Sequence, residues 1–320
     1  MRRSVLVLAT VGLSVLLFGW ITGSALIIGL ASFGIVAAEL HRRALDGFST
    51  SRHTHRSPTS AYRTTRVEIM GVDIALHERW VASPAPLAIL VHGWGSDSNA
   101  SEVRAEPLVE FGCHVLLVDM PNHGISGRMR HWSARRAAEC VQHAIIAHSD
   151  RWPDDDITGV ILYGHSMGGF VMLGIGRELM ADLPHLLHGM VLESPMVSWP
   201  MVFEDRTSGV LLPLRRLLRW EIERDLRKVH PEYEPEDWDD ASVPEWGAPC
   251  APLLVIQAEE DDSLGRMHFD LLRQHAPEAS EFVLDPALSH QGRTERGDAP
   301  EVIRKWISRI LNQPSVDESE

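Results

Sequence analysis

From Val5 to Leu40 the chain is apolar for 36 residues, with one ionisable group, Glu39, at the far end. As one helix this run would extend about 54 Å at ~1.5 Å per residue, well beyond a ~30 Å hydrocarbon core. Two shorter spans fit better, roughly Val5–Trp20 and Ala25–Leu40, joined by Ile21-Thr22-Gly23-Ser24. The alternatives are a single tilted span and, less well matched, a cleaved leader. Cleavage near Ala25 would leave a second long apolar run in water. Arg2 and Arg3 flank one end, and His41, Arg42 and Arg43 the other. A hairpin puts both ends on one side, and the positive-inside tendency makes that side cytoplasmic, together with the rest of the chain. Residues 1–44 are therefore expected as a transmembrane hairpin or single span. Residues 45–63, rich in Ser, Thr, His and Arg, follow as a flexible basic tether suited to anionic headgroups. His53 and His55 fall in that tether and fit solvated loop histidines better than metal ligands. The spaced small residues Gly19, Gly23, Ala25 and Gly29 could draw helices together, although ordinary membrane-helix composition accounts for them more simply.

Beyond Arg63 the pattern changes. Thr65–Met70 and Asp73–Trp80 alternate as two strands turning near Gly71. Leu87–Val91 and Cys113–Val118 are continuous apolar runs of the kind buried on both faces of a sheet. A helix is expected between them, closed by Gly112, and another over Ser133–His148 with Ala137, Val141, Ala144 and Ile145 on its apolar side. Asp154-Asp155-Asp156 fits a solvated turn. A further run, Gly159–Tyr163, enters Gly164-His165-Ser166-Met167-Gly168 and then a helix-compatible stretch. Gly189–Ser194, Leu253–Gln257 and Glu281–Leu284 complete the strands. The last helix is expected from Asp298, with Glu301 as its capping-box partner, to Leu311. Strands alternating with helices predict an α/β fold with a mostly parallel sheet covered on both faces. The insertion at about 198–249 carries a Leu/Arg-rich helix and an acidic stretch. It leaves the carboxyl edge of the sheet, where ligands bind in open α/β folds, so it is expected as a lid. Residues 64–313 form this domain and 314–320 a disordered tail.

Charge narrows the partners. The net charge is −14, yet the first 63 residues hold seven arginines against Glu39 and Asp46. A body that acidic is a poor binder of nucleic acid. Three widely spaced cysteines, Cys113, Cys140 and Cys250, form neither a disulfide framework nor a metal motif. Cys113 opens a strand and is expected as a buried free thiol, in keeping with a reducing compartment.

The candidate chemistry centres on Ser166. In Gly-x-Ser-x-Gly between a strand and a helix, the serine sits on a sharp turn that lifts its hydroxyl above the sheet edge. A serine hydroxyl is a poor nucleophile near neutral pH and needs a base, and the base needs a carboxylate to hold its tautomer. The chain order expected on such a sheet is Ser, acid, His. His290 lies after the last strand. The acid comes from Glu259-Glu260-Asp261-Asp262, with Asp261 preferred, Asp262 next and Glu193 as the outsider. Two N–H donors are needed for a tetrahedral oxyanion. Met167 supplies one and Trp94, in His92-Gly93-Trp94-Gly95, the other; the Trp94 indole is expected to wall the acyl pocket. No cofactor or metal is called for.

Taken together, His92-Gly93-Trp94-Gly95, Asp119 to Ser126, Gly164 to Gly169, the Asp261 loop and His290 resemble an α/β-hydrolase, similar to the monoacylglycerol-lipase and serine-aminopeptidase-like branch. The resemblance covers about Arg66 to Leu311. It implies an eight-stranded, mostly parallel sheet, with Ser166 as nucleophile, Asp261 as acid and His290 as base. Asn122 and Ala258 stand where that pattern more usually has glycine. The expected function is a membrane-anchored serine hydrolase that cleaves a carboxylic ester, lipid-like or small. The alternatives are a thioesterase or peptidase on the same residues, or a membrane-tethered binding protein that kept the fold without turnover.

Overall fold

The computed structural model describes residues 3–49, 57–130, 132–152, 156–183, 185–292 and 296–312. The middle of the expected tether with its two histidines, the Asp154-Asp155 turn and the tail lie outside them. In chain order the elements are α1 (Arg3–Thr22), α2 (Ala25–Ser49), β1 (Arg63–Ile69), β2 (Val72–Arg79), β3 (Ala85–Val91), α3 (Ser98–Glu110), β4 (His114–Val118) and α4 (Ala134–Ser149). Then come β5 (Ile157–His165), α5 (Met167–Asp182), β6 (Leu187–Glu193), α6 (Trp199–Arg206), α7 (Leu212–Leu226), α8 (Asp237–Asp240), β7 (Leu253–Ala258), α9 (Met267–His275), β8 (Glu281–Asp285) and α10 (Ala299–Asn312). They fall into two compact units. One holds the N-terminal helices with residues Val202–Pro235, the other holds the remainder.

In the first unit α1 and α2 pack against each other, and α7 adjoins α2. Gly23 turns the chain with a φ of +67°, and Ser24 N–H closes the end of α1 on Gly19 O. Two glycines let the helices approach. A Cβ on Gly19 would lie 2.7 Å from the Ile27 side chain, and one on Gly12 would lie 3.0 Å from Ile35. They are seven residues apart, hence on one helix face. Gly29 meets nothing within 4 Å, so the close approach uses Gly12 and Gly19 rather than both spaced pairs seen in the sequence. Among the described residues no helix is long and apolar enough to cross a membrane. Leu17, Phe18, Trp20, Ile21, Leu26, Leu30 and Phe33 are nevertheless exposed on this pair.

The second unit is built on one eight-stranded sheet, ordered β1-β2-β4-β3-β5-β6-β7-β8. β1 and β2 form an antiparallel hairpin, β2 pairs antiparallel with β4, and every other pairing is parallel. Successive side chains point to opposite faces of a strand, and here both faces are buried. Ala88, Leu90, Val115, Leu117, Ile161, Tyr163 and Val191 share one core with Ala105 and Leu108 of α3 and Ile303, Trp306 and Ile307 of α10. Gly189 belongs to this face because the Trp306 ring would stand 2.5 Å from a Cβ there. The alternate residues meet α5, whose Gly176 faces Leu162 and Met190. Continuous apolar runs were required for the central strands for this reason, and alternation sufficed for the edge hairpin.

The end of the sheet differs from expectation in one detail. Asp298 N–H is taken by Asp285 Oδ2 at 2.7 Å, so Glu301 does not close a capping box; it pairs instead with Arg304 and Lys305. Asp285 also accepts from Ala287 N–H, so one buried carboxylate pins both ends of the loop that carries His290. The three cysteines are free, and burial pushes the Cys113 thiol up to about 12 and that of Cys140 up to about 11.

Candidate active site

Ser166 stands between β5 and α5 with φ 51° and ψ −118°, a left-handed conformation that non-glycine residues rarely adopt. Two glycines make this turn possible. A Cβ on Gly164 would lie 2.5 Å from Gly169 Cα, and one on Gly168 would lie 2.1 Å from the Val91 carbonyl oxygen. Helix α5 is thus pressed against the ends of β5 and β3. The turn is bonded on both sides: Ser166 N–H donates to Glu193 O at 3.0 Å, and Ser166 O accepts from Met196 N–H at 3.0 Å.

The side chains named from the sequence converge here. His290 Nε2 lies 3.0 Å from Ser166 Oγ, and His290 Nδ1 lies 2.8 Å from Asp261 Oδ2. Asp261 also accepts from Gln257 Nε2 at 2.6 Å, and from Ser263 and Leu264 N–H at 2.9 Å each. Burial alone would raise the Asp261 carboxyl, but the bond to His290, the charge of His290 and these N–H donors hold it below the usual carboxylate range. The two other acids lie elsewhere. Asp262 is exposed and meets Ser263 Oγ, and Glu193 is bound by arginines. The arrangement can therefore move a proton from a serine hydroxyl to an imidazole whose tautomer is set by an ionised carboxylate.

The two segments expected to supply the oxyanion donors meet at the serine. Met167 opens α5, where no helical carbonyl can take its N–H, and the helix dipole favours negative charge. Gly93, just before Trp94, approaches so closely that a Cβ there would lie 3.0 Å from Ser166 Cβ. The loop is braced by His92, whose Nδ1–H donates to Gly93 O at 2.8 Å and whose Nε2 accepts from Met120 N–H at 3.1 Å. Asp119 anchors it further, accepting from Ser98 and Ile125 N–H. Burial opposes the charge of Asp119, but its partners His77 and His92 and these donors keep its carboxyl below the usual range.

One feature of the site has no mark in the sequence. The Trp94 ring packs edge-on against Trp132 at 4.7 Å between centroids and against His123 at 5.1 Å; Trp132 in turn meets Trp199 at 6.3 Å. Trp94 lies in the loop after β3, His123 and Trp132 in the loop after β4, and Trp199 opens α6, so no local spacing announces them. The departure at Asn122 also gains a reason. Its φ is +67°, in the region glycine favours, and its amide exchanges two hydrogen bonds with the backbone of Met129. Asparagine tolerates that conformation better than most residues.

Three buried histidines set an acid limit on the domain. Burial keeps His92 and His165 below the usual imidazole value, and lowers His268 from 6.5 to about 4. His268 Nδ1 accepts from Val197 N–H at 3.1 Å, a bond that protonation would break. A group whose folded pKa is depressed contributes stability above its unfolded value and loses it as the pH falls. For His268 alone the loss is on the order of 3 kcal/mol between pH 6.5 and about 4. Tm measured across pH is thus expected to be flat above about 7 and to fall steeply below about 6.5, with His268→Asn, which retains an acceptor, flattening the fall. An unchanged acid limb in that variant would contradict this account.

The comparisons agree with the architecture. A serine hydrolase-like protein of Dictyostelium discoideum is 25% identical over 122 residues, which is 38% of this chain and 32% of that protein, so the match spans about a third of the relative's length. Among solved structures, a membrane phospholipase A described as a bacterial virulence factor aligns over 92% of this chain and 99% of its own, with TM-score 0.56 and 19% identity. A thermophilic esterase from Thermogutta terrifontis aligns over 78% of this chain and 99% of its own, with TM-score 0.52 and 17% identity. At those identities both likenesses concern the fold. The family model for the alpha/beta hydrolase family matches residues 88–313, well over half of the sequence and including Ser166, Asp261 and His290, and the chain accordingly belongs to that family.

Proposed function

We propose that the protein is a membrane-anchored serine hydrolase that cleaves a carboxylic ester of a lipid-like substrate through an acyl-enzyme. The observation that carries this is the unbroken chain from Ser166 Oγ through His290 to Asp261. Ser166 Oγ attacks the ester carbonyl while His290 Nε2 takes its proton, and Asp261 stabilises the imidazolium that forms. The oxyanion is met by Met167 and Trp94 N–H. Collapse of the tetrahedral species expels the alcohol, protonated by His290. Water, deprotonated by the same imidazole, then releases the acid and restores Ser166.

Membrane attachment is supported by the apolar run through α1 and α2, by its exposed Phe18, Trp20, Leu26 and Phe33, and by the basic residues at both flanks. In this proposal α1 and α2 hold the chain at the bilayer through these exposed side chains, the segment between α2 and β1 links them to the domain on the cytoplasmic side, and the insertion at 198–249 acts as a lid. A lipid-facing anchor brings the site to substrates that partition into the membrane, such as a monoacylglycerol or lysophospholipid. The test is flotation of the full chain with phospholipid vesicles, followed by assay of those vesicles doped with long-chain monoacylglycerol. Co-flotation with release of fatty acid is expected. A chain that stays at the bottom of the gradient, or turns over short soluble esters and no vesicle-borne lipid, contradicts the proposal.

A further inference from the structure

Behind Ser166 and His290 lies a second buried polar cluster that the chemistry above does not use. Glu193, at the end of β6, is fully buried. Its Oε1 accepts from Arg104 Nε at 2.8 Å, and its Oε2 accepts from Arg296 Nη2 and the Tyr163 hydroxyl, each at 2.6 Å. Burial works against the carboxylate, yet the two guanidinium charges outweigh it and hold Glu193 far below the usual range. Taking one carboxylate and two guanidinium groups out of water is costly, and apolar residues of the same volume often stabilise a core as well or better. The cluster therefore calls for a role beyond packing.

Its outward bonds supply one. Arg104 Nη2 donates to Gln291 O at 2.8 Å, and Arg104 Nη1 to Ala100 O at 3.2 Å. Arg296, at the far end of the same loop, donates from Nη1 to Val103 O at 2.9 Å. His165 Nε2 donates to the His290 carbonyl at 2.7 Å. Burial and the nearby Arg104 charge keep His165 neutral, so its one N–H is committed to that carbonyl. The other edge of its ring supports the oxyanion loop, since a Cβ on Gly93 would lie 2.9 Å from His165 Nδ1. Glu193 O, finally, accepts the Ser166 N–H at 3.0 Å. One cluster is thus bonded to the amide of the serine, to the carbonyl of His290 and to the carbonyl of the next residue.

We infer that Glu193, Arg104 and His165 are positioning residues that fix the backbone at 290–291 and so hold the His290 imidazole on Ser166 Oγ. The inference rests on the proposed roles of Ser166 and His290. None of the three touches the reacting atoms; they act through the His290 loop. Displacement of a catalytic group by ~1 Å can cost on the order of 10²-fold in rate. Among its described residues the loop is tied by an isolated bridge between Leu288 and Arg296, on either side of His290, which leaves the backbone at 290–291 to these side chains.

The test uses Arg104→Lys in the full chain. Lysine keeps the charge opposite Glu193, but a single ammonium cannot reproduce the planar fork that reaches Glu193, Ala100 O and Gln291 O together. Hydrolysis of p-nitrophenyl butyrate is measured beside Tm and the rate of fluorophosphonate labelling. The positioning role predicts that kcat and the labelling rate fall together by roughly 10- to 100-fold, with KM within about twofold of wild type. A role confined to charge balance predicts that Tm and kcat both stay near wild type, and that result overturns the inference. His165→Phe is the second variant. It keeps a ring beneath Gly93 and removes the N–H that holds the His290 carbonyl, so the same split is expected, and wild-type kcat in the folded protein again overturns the inference. Activity surviving in Ser166→Ala would overturn the nucleophile assignment and this inference with it. An inactive Ser166→Ala beside a fully active Arg104→Lys overturns this inference alone.

Discussion

Ser166→Ala is expected to lower kcat for ester hydrolysis by roughly 10³-fold or more while leaving the fold in place. The two halves of this expectation come from different observations. Alanine has no oxygen for His290 Nε2 to activate, so the 3.0 Å contact that starts the reaction is lost. The backbone is unaffected in kind, because serine and alanine meet the same strain at a φ of 51° and the turn is bonded through its own amide and carbonyl. Kinetics and Tm on the purified variant check both halves. Some rate above water is expected to remain, since the proposed oxyanion donors, Met167 and Trp94 N–H, are backbone groups that the substitution leaves in place. Retention of a tenth or more of the wild-type kcat, with normal Tm, would mean that another group attacks the substrate.

Asp261→Asn is expected to cost on the order of 10³- to 10⁴-fold in kcat, and Asp262→Asn little. The difference follows from the donors around each. Asp261 Oδ1 accepts two backbone N–H groups, and Oδ2 accepts from Gln257 and His290. An asparagine there can place its oxygen toward Ser263 and Leu264, but its NH₂ then points at Gln257 Nε2 and His290 Nδ1. The imidazole escapes that clash by moving its proton to Nε2, where it faces Ser166 as a donor and cannot act as a base. Asp262 has no such partner: it is exposed and meets only the neighbouring Ser263 hydroxyl among the bonds described. Parallel kcat measurements on the two variants decide between them, and a larger loss in Asp262→Asn would move the acid by one residue.

Much of this geometry was legible in the sequence because it obeys local rules. Central strands buried on both faces show up as unbroken apolar runs, and Leu87–Val91 and Leu253–Ile256 are such runs. Gly164 and Gly168 mark the serine turn because backbone atoms occupy the space their side chains would need. The order serine, acid, histidine at the ends of β5, β7 and β8 placed Ser166, Asp261 and His290 on the same edge, where the structure joins them. What escaped detection depends on contacts remote in sequence. Arg104 is one basic residue in a helix, and Glu193 was weighed only as an acid for His290; nothing local pairs positions 104, 193 and 296. The same holds for Trp132 and Trp199 beside Trp94. The capping box at Asp298 failed for a related reason, since Asp285, thirteen residues earlier, reaches the amide that Glu301 was expected to take. The residues at Gly12 and Gly19 that seat α1 on α2 are likewise set by Ile35 and Ile27 across the turn rather than by spacing within one helix.

The most direct test of the account is to find where an acylating or phosphonylating reagent bonds. The full chain is incubated with a fluorophosphonate, digested, and its peptides are weighed. One adduct per chain is expected, on the peptide carrying Ser166, and none in Ser166→Ala. Modification of a different residue, or equal modification of the two proteins, would contradict the claim that Ser166 is the nucleophile.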